Sequence, residues 1–252
     1  MNKKPILKPN VLNFSAYHLK IIAIFAMLID HIAWAFVPLE SALGQIMHII
    51  GRLTAPIMCF FIAEGFYHTK NIKKYALRLG IFALISHIPY NYFMFGNLPL
   101  SFDYGFKSIL RTSIMLPLFL GLISLVVWNN SKIKKTIKII LIVILCLIAI
   151  PADWSFIPIL WILNFGINHD DFQQQIKVFS IISMPIILTP ILLLVENNSN
   201  WYEQIFHIGI LLAIPFLNKY NGSLGGKNYS KWIFYIFYPL HMLVIGWLKY
   251  RI

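Results

Sequence analysis

Polar side chains that could do chemistry occur inside long apolar stretches of this chain. A charged side chain at the centre of a membrane-spanning helix costs about 2.5–3.5 kcal/mol, so such a residue needs a partner or a function. Histidines and carboxylates are the groups that usually accept protons in catalysis and in ion transport. The candidates in apolar surroundings are Asp30, His31, His48, Arg52, Glu64, His87, Asp153 and His241.

The composition places these residues in a membrane protein. Of the 252 residues, 59% are hydrophobic and 12% are charged, and the mean hydropathy is +0.73. Soluble domains carry about 25% charged residues, and an apolar excess this large cannot be hidden inside one soluble core. The formal charge of +12 comes from short basic clusters between apolar runs, as in loops that face the cytoplasm and anionic membrane lipids. We therefore exclude nucleic acid as a partner.

Nine apolar stretches approach the roughly 20 residues that a spanning helix needs. They predict an all-α integral membrane protein, a polytopic bundle of about nine (eight to ten) transmembrane helices in a single domain over residues 1–252. The turn at Asp153 is so short that the fifth and sixth stretches could form a helical hairpin or a re-entrant turn. The predicted spans are Leu19–Pro38, Gln45–Tyr67, Tyr75–Phe95, Ile109–Trp128, Thr136–Ile150, Phe156–Ile167, Val178–Val195, Gln204–Leu217 and Trp232–Leu248.

The distribution of basic residues predicts the orientation of the chain. Cytoplasmic loops of membrane proteins carry an excess of lysine and arginine. Of the 21 such residues, sixteen fall on the side of the N-terminus and four on the other side, while Arg52 lies within a span. We therefore expect a cytoplasmic N-terminus and a multi-pass protein of the cell (plasma) membrane.

The first span places a candidate base near the middle of the membrane. Lys20 marks its predicted cytoplasmic end, and His31 follows eleven residues later, which is about 16 Å along a helix. A neutral imidazole at that depth could act as a general base. Asp30 is adjacent, and neighbouring helical residues do not face each other, so we expect the two to meet different partners. The alternative is a histidine that only packs against another helix.

The second span carries Arg52 and Glu64, which are twelve residues apart. The corresponding distance of about 18 Å along the axis is too long for a mutual ion pair. Each residue therefore needs a partner elsewhere, and Asp30 or Asp153 could pair with Arg52. An ion pair of this kind could serve a site or could only fix the packing of the helices.

The last span contains a proline beside a histidine. Pro239 should interrupt the helix and free a backbone carbonyl, two residues before His241. By itself this pattern is also that of a kinked helix with a packing histidine. The spacing of the histidines along the chain gives no metal site.

A basic cluster follows the second span and could bind phosphate groups. Positive-inside topology and anionic lipid explain such a cluster without any cofactor. Its members are His68, Lys70, Lys73, Lys74 and Arg78.

Four segments of the chain resemble the TraX family, named for the membrane protein that acetylates the N-terminus of conjugative pilin. They lie towards the two ends of the chain, and His87 stands where the family usually has an acidic residue. The segments are Leu19–Ala23 through Ile29–His31, Gly51–Arg52 through Pro56 to Glu64–Phe66, Arg78 through Ala83–Pro89, and Phe234–His241.

A wider similarity points to the same chemistry. Membrane acyltransferases of the acyltransferase-3 and heparan-glucosaminide acetyltransferase type carry a basic or polar residue, ten intervening residues and then a histidine in an early helix. Lys20 and His31 keep this spacing. A Phe-Phe-x-x-x-Gly-Phe segment also recurs in those enzymes, as it does here in Phe60–Phe66.

The resemblance implies an acyltransferase that takes acetyl from acetyl-CoA at its cytoplasmic side. The acceptor would be an amine or hydroxyl of a peptide, a glycan or a lipid, with His31 as general base, oriented by Asp30 or Glu64. The CoA phosphates would be held by Lys20, Lys70, Lys73, Lys74 and Arg78, and the site would be lined by Arg52, His87, Asp153, Tyr238 and His241.

Two other functions fit the same intramembrane residues. A proton-coupled secondary transporter would also place aspartate, histidine and arginine at the membrane midplane, although such transporters usually show an internal repeat, which this sequence does not. The third option is a membrane assembly factor without catalytic activity.

Overall fold

All regular elements in the described part of the protein are helices. The structure, a computed structural model, describes residues 13–96, 111–227 and 230–251. In chain order the helices are α1 (Ala16–Phe36), α2 (Ala42–Gly51), α3 (Thr54–His68), α4 (Ile72–Phe95), α5 (Met115–Asn129), α6 (Lys135–Ala149), α7 (Ile157–Ile167), α8 (Phe172–Ile187), α9 (Thr189–Val195), a 3-10 helix (Trp201–Leu212), α10 (Ala213–Asn218) and α11 (Ser230–Lys249).

Each of the nine predicted spans coincides with one helix or with two consecutive helices. Four stretches are long and apolar enough to cross a membrane, namely Ala16–Phe36, Ala42–His68, Phe172–Val195 and Trp232–Lys249. The protein is therefore a helical membrane protein, whereas nine crossings remain a prediction. The beginning of the fourth predicted span, at Ile109, and the basic residues Lys3, Lys4, Lys8 and Lys107 lie outside the described residues.

Prolines explain where two of the predicted spans are divided. Pro56 has no N–H to donate to the carbonyl of Arg52, and the second span is broken there into α2 and α3. Pro190 divides the seventh span into α8 and α9 in the same way. The prediction that Pro239 interrupts the last helix is wrong, because α11 continues through this residue from Ser230 to Lys249. Spanning helices tolerate proline where surrounding groups satisfy the freed carbonyl.

The bundle has an inner end, at which α1 begins, and an outer end, at which α1 ends. At the inner end, the hydroxyl of Tyr67 donates a hydrogen bond of 2.8 Å to the carbonyl of Gly166. At the outer end, the backbone N–H of Asp153 donates one of 2.8 Å to the carbonyl of Thr112. The inner end is the one that the basic loops predict to face the cytoplasm.

Several helix contacts are close enough to require glycine, as is common between membrane helices. A Cβ atom on Gly121 of α5 would lie 2.4 Å from Cδ1 of Ile162 on α7. One on Gly209 of the 3-10 helix would lie 2.2 Å from the carbonyl oxygen of Ile49 on α2. The second clash involves backbone, which cannot rotate away. The 3-10 helix is therefore held directly against α2.

We predict that Gly209→Ala destabilises the protein by about 1–3 kcal/mol, the usual cost of overpacking a tight contact. Thermal unfolding in detergent measures the change. Gly80→Ala is the matched control, because its added Cβ would meet only the side chain of Phe119, at 3.3 Å, and alanine favours a helix. An unchanged unfolding temperature for Gly209→Ala would mean that the 3-10 helix does not pack on α2 in this way.

Candidate active site

A cavity of about 120 Å³ lies near the outer end of the bundle, between α1, the α2–α3 junction, α4 and α11. Five residues selected from the sequence line it, although they come from four distant parts of the chain. They are Asp30, His31, Arg52, Asp153 and Tyr238.

Two histidines form a hydrogen-bonded pair beside this cavity. Nδ1 of His31 lies 2.6 Å from Nε2 of His241, which is 210 positions away in the sequence. Nδ1 of His241 lies in turn 2.7 Å from the backbone carbonyl of Phe237. Phe93 packs edge-on against the His31 ring, with 5.4 Å between ring centroids. The His31 ring is therefore held from two sides.

The direction of these hydrogen bonds fixes the tautomers of the two neutral rings. A carbonyl oxygen can only accept, so Nδ1 of His241 carries its proton and Nε2 of His241 accepts. The proton in the central bond then belongs to Nδ1 of His31. This assignment leaves the lone pair of His31 on Nε2, and no described residue donates to that atom. His31 is thus prepared to accept a proton, as in other sites where a third group orients the base.

Asp30 lines the same cavity as His31 and belongs to a buried ion group. Nη2 of Arg52 donates to both carboxylate oxygens, at 3.1 Å and 2.9 Å, and Nδ1 of His48 lies 2.8 Å from Oδ1. All three side chains are buried. The expectation that Asp30 and His31 meet different partners is confirmed, and Asp30, rather than Asp153, makes the salt bridge to Arg52.

The ion group requires a very close approach of α1 and α2. A Cβ atom on Gly51 would lie 2.3 Å from both Cβ and Oδ1 of Asp30. The guanidinium of Arg52 is also clamped between two aromatic rings, 4.8 Å from the centroid of Trp154 and 4.9 Å from that of Phe206. Arg52 thereby connects α1, the α6–α7 turn and the 3-10 helix.

A second cavity, of about 260 Å³, lies at the inner end. Lys20 and Arg78 both line it, and neither forms a salt bridge with a described residue. The Lys20 ammonium lies 5.0 Å from the ring centroid of Phe61 and 5.5 Å from that of Phe234. Two unpaired cations with apolar walls suit an anion that carries an apolar portion.

Glu64 lies at the inner end and does not orient His31. Its carboxylate pairs with two histidines, at 2.9 Å from Nε2 of His169 and 3.6 Å from Nε2 of His68. The ring of Tyr67 covers His169, with 4.2 Å between ring centroids. This group connects α3 to the α7–α8 loop.

Other predicted residues stand apart from both cavities. Lys70, Lys73 and Lys74 are exposed around the start of α4 and do not line the inner cavity. His87 is half-buried on α4, where Nδ2 of Asn91 donates to its backbone carbonyl at 2.8 Å, and it does not line the outer cavity. Of the predicted phosphate-binding residues, Lys20, His68 and Arg78 therefore line one cavity.

Sequence reasoning gave no specific role to two of the residues that complete these groups. The binding of one carboxylate by both His48 and Arg52 could have been suspected, since the two are four residues apart on the same helical stretch. No local pattern connects His169 to Glu64, which is 105 positions earlier.

Residues 15–249 match the family model described as TraX protein. The chain belongs to the TraX family. The resemblance inferred from four segments is confirmed, and the TraX match also includes the middle of the chain, α5 to α10. Both cavities are built entirely from residues within the TraX match.

Individual relatives agree with the TraX assignment. A probable fimbrial assembly protein FimC, serogroup H1, of Dichelobacter nodosus is 32% identical over 235 residues, covering 93% of this chain and 95% of that protein. An uncharacterized protein of Rickettsia prowazekii (strain Madrid E) is 33% identical over 113 residues, or 45% of this chain and 37% of its own length. No solved structure has significant similarity to the chain.

The ion pair at the inner end predicts a pH dependence of stability in this TraX-family protein. The hydrogen bond to the Glu64 carboxylate raises the pKa of His169 above its ordinary value of 6.5. Because the pKa of His169 is raised in the folded state, the pair stabilises the fold fully below about pH 6.5, the pKa of histidine in the unfolded chain. This contribution disappears as the pH rises through the folded-state pKa. The unfolding temperature should therefore fall over this range.

His169→Gln should weaken this fall, and Glu64→Gln should weaken it to the same extent. Thermal unfolding in detergent at a series of pH values from below to above this range measures the effect. His18→Gln, at the start of α1, is the control. A wild-type pH profile in His169→Gln would rule out the pair as its source.

Proposed function

We propose that this chain is a membrane acyltransferase that moves acetyl from acetyl-CoA to an amine or hydroxyl acceptor. The observation that carries the proposal is the hydrogen-bond chain from the Phe237 carbonyl through His241 to His31. This chain leaves a histidine nitrogen with a free lone pair at a cavity inside the helix bundle. A base of this kind is what acyl transfer to a weakly acidic nucleophile requires.

His31 acts as the general base in this proposal. The acceptor nitrogen or oxygen attacks the thioester carbonyl, a C–N or C–O bond forms, and Nε2 of His31 takes the proton of the nucleophile. The C–S bond then breaks, and the departing thiolate receives the proton from His31. General-base assistance of this type contributes typically 10²–10⁴-fold in rate. His241 is a positioning residue, because it holds His31 in the tautomer with a free Nε2.

The inner cavity is the proposed site for the CoA phosphates. Lys20 and Arg78 supply two cations that no acidic side chain neutralises among the described residues. His31 follows Lys20 by eleven positions, which separates the two cavities by about 16 Å along α1. A long donor could keep its phosphates at the inner end while its thioester reaches His31.

The acceptor is proposed from the chemistry of the family and of its relatives. A relative covering nearly the whole chain carries the name of a fimbrial assembly protein, so a fimbrial subunit is the first acceptor to test. The basic inner end and the four long apolar helices support a multi-pass protein of the cell membrane with this end in the cytoplasm.

We predict that Lys20→Ala and Arg78→Ala each weaken acetyl-CoA binding about tenfold or more. Hydrogen bonds to charged groups contribute about 1.5–3 kcal/mol, and each variant removes one of the two unpaired cations. Equilibrium dialysis of labelled acetyl-CoA with the detergent-purified protein measures the affinity. Lys74→Ala, which removes an exposed cation at the same end, should bind as the wild type does. Absence of saturable binding at millimolar acetyl-CoA would contradict the donor assignment and favour a transporter.

We predict that His31→Ala lowers the rate of acetyl transfer by about 10²–10⁴-fold and leaves acetyl-CoA binding intact. His241→Ala should reduce the rate less, and the double variant should be no slower than His31→Ala, because His241 acts only through His31. Single-turnover transfer of labelled acetyl to a fimbrial subunit measures these rates. Full activity in His31→Ala would remove His31 from the mechanism, and additive losses would give His241 an independent role.

A further inference from the structure

Asp153 is a carboxylate that forms no salt bridge with any residue that the structure describes, although Arg52 lines the same cavity. The other acidic residues of the two candidate sites are compensated, Asp30 by Arg52 and Glu64 by His169. Nη2 of Arg52 donates to both carboxylate oxygens of Asp30 rather than to Asp153. Carboxylates away from bulk water are normally paired. An unpaired one lining a cavity is suited to binding a cation.

Asp153 lies where two cavities share a wall. Besides the cavity that contains His31, a larger one of about 700 Å³ lies at the outer end, beside the α6–α7 turn and the 3-10 helix. The larger cavity is also lined by Arg111, Ser155 and His207, which do not line the cavity that contains His31. The residues that line both are Arg52, Tyr90, Asp153 and Trp154. A ligand in the larger cavity would therefore reach His31 by passing Asp153.

The backbone holds Asp153 in place at this wall. Its N–H donates to the carbonyl of Thr112 at 2.8 Å, and the N–H of Ser155 donates to the carbonyl of Ala152 at 2.9 Å. Trp154 and Ser155 both adopt the left-handed conformation, with φ of 62° and 50°, which is unfavourable for residues other than glycine. The turn keeps this conformation, which places the Trp154 ring on Arg52 and the carboxylate at the boundary of the cavities.

An amine acceptor presents a problem that a single base does not solve. At neutral pH a primary amine is an ammonium, and it must lose one proton before it can attack and a second one as the amide forms. His31 can accept one of these protons. The carboxylate of Asp153, on the route to His31, can accept the other.

We propose that the larger outer cavity is the acceptor-binding site, and that Asp153 binds the acceptor ammonium and takes its first proton. This inference rests on the proposed acyl transfer. The proton moves from the R–NH3⁺ group to the Asp153 carboxylate, giving R–NH2 and a neutral carboxyl group. The amine then attacks the thioester carbonyl, its second proton passes to Nε2 of His31, and the C–S bond breaks as described above. The proton on Asp153 returns to solvent through the outer cavity.

The same geometry makes Asp153 a specificity-determining residue. An ammonium offsets the cost of desolvating the carboxylate, whereas a hydroxyl of the same shape brings no charge. A site built around a charged group discriminates strongly against ligands that leave this group unpaired. The acceptor selected by this cavity is therefore an amine rather than an alcohol.

The test compares two short peptides that differ only at the N-terminus, one with the free amine and one with a hydroxyl in its place. Acetyl transfer from saturating acetyl-CoA is measured with the full-length protein in detergent. Asp153→Asn should lower the ratio of kcat/KM for the amine peptide to that for the hydroxyl peptide by about tenfold or more, with a higher KM and a lower kcat for the amine peptide. Asp153→Glu, which keeps the charge, should restore part of the ratio.

Glu40→Gln is the matched control, because it removes an exposed carboxylate from the connection between α1 and α2. It should leave the ratio unchanged. Acetyl-CoA binding by Asp153→Asn shows that the variant is folded. An equal loss with both peptides, or no loss with either, would overturn the role of Asp153.

Direct binding of the amine peptide without acetyl-CoA separates this inference from the proposed function. If the wild type transfers no acetyl but binds the amine peptide, and Asp153→Asn weakens that binding about tenfold, the amine site stands and acyl transfer is wrong. If the wild type transfers acetyl and Asp153→Asn keeps full amine selectivity, acyl transfer stands and the amine site is wrong.

Discussion

The salt bridge between Asp30 and Arg52, completed by His48, fixes how α1 packs against the α2–α3 region. The geometry of the outer site depends on this packing. A buried carboxylate is costly among apolar helices, and here two cationic or donor side chains from the α2–α3 region bind both of its oxygens. Because Asp30 and His31 are adjacent on α1, turning Asp30 towards α2 turns His31 towards α11. The ion group and the histidine pair are therefore consequences of one helix orientation, which Gly51 permits by leaving room for Asp30.

Charges without a salt bridge line the cavities at both ends of the bundle. At the inner cavity these are Lys20 and Arg78, and at the larger outer cavity neither Asp153 nor Arg111 forms a salt bridge with a described residue. The proposed function uses the inner cations for the CoA phosphates and the outer carboxylate for the acceptor. The helix α1 connects the two ends, since it carries Lys20 near its first turn and His31 near its last.

Some predicted site residues have other partners than the sequence suggested. Glu64 was predicted, as an alternative to Asp30, to orient His31, yet it pairs with His169 at the inner end. The exposed lysines around the start of α4 were grouped with Arg78 by sequence proximity. Helical geometry separates them, because Arg78 is one turn further along α4, where this helix lines the cavity.

The sequence by itself determined the helical membrane class, the nine apolar stretches and the family, since these depend on composition, on period and on local motifs. It also predicted that Asp30 and His31 would point apart, because that follows from the helical rotation per residue. Only the tertiary structure decided which side chains meet. The pairing of His31 with His241 joins residues 210 positions apart, and such contacts are set by how whole helices pack, which no local pattern in the chain specifies.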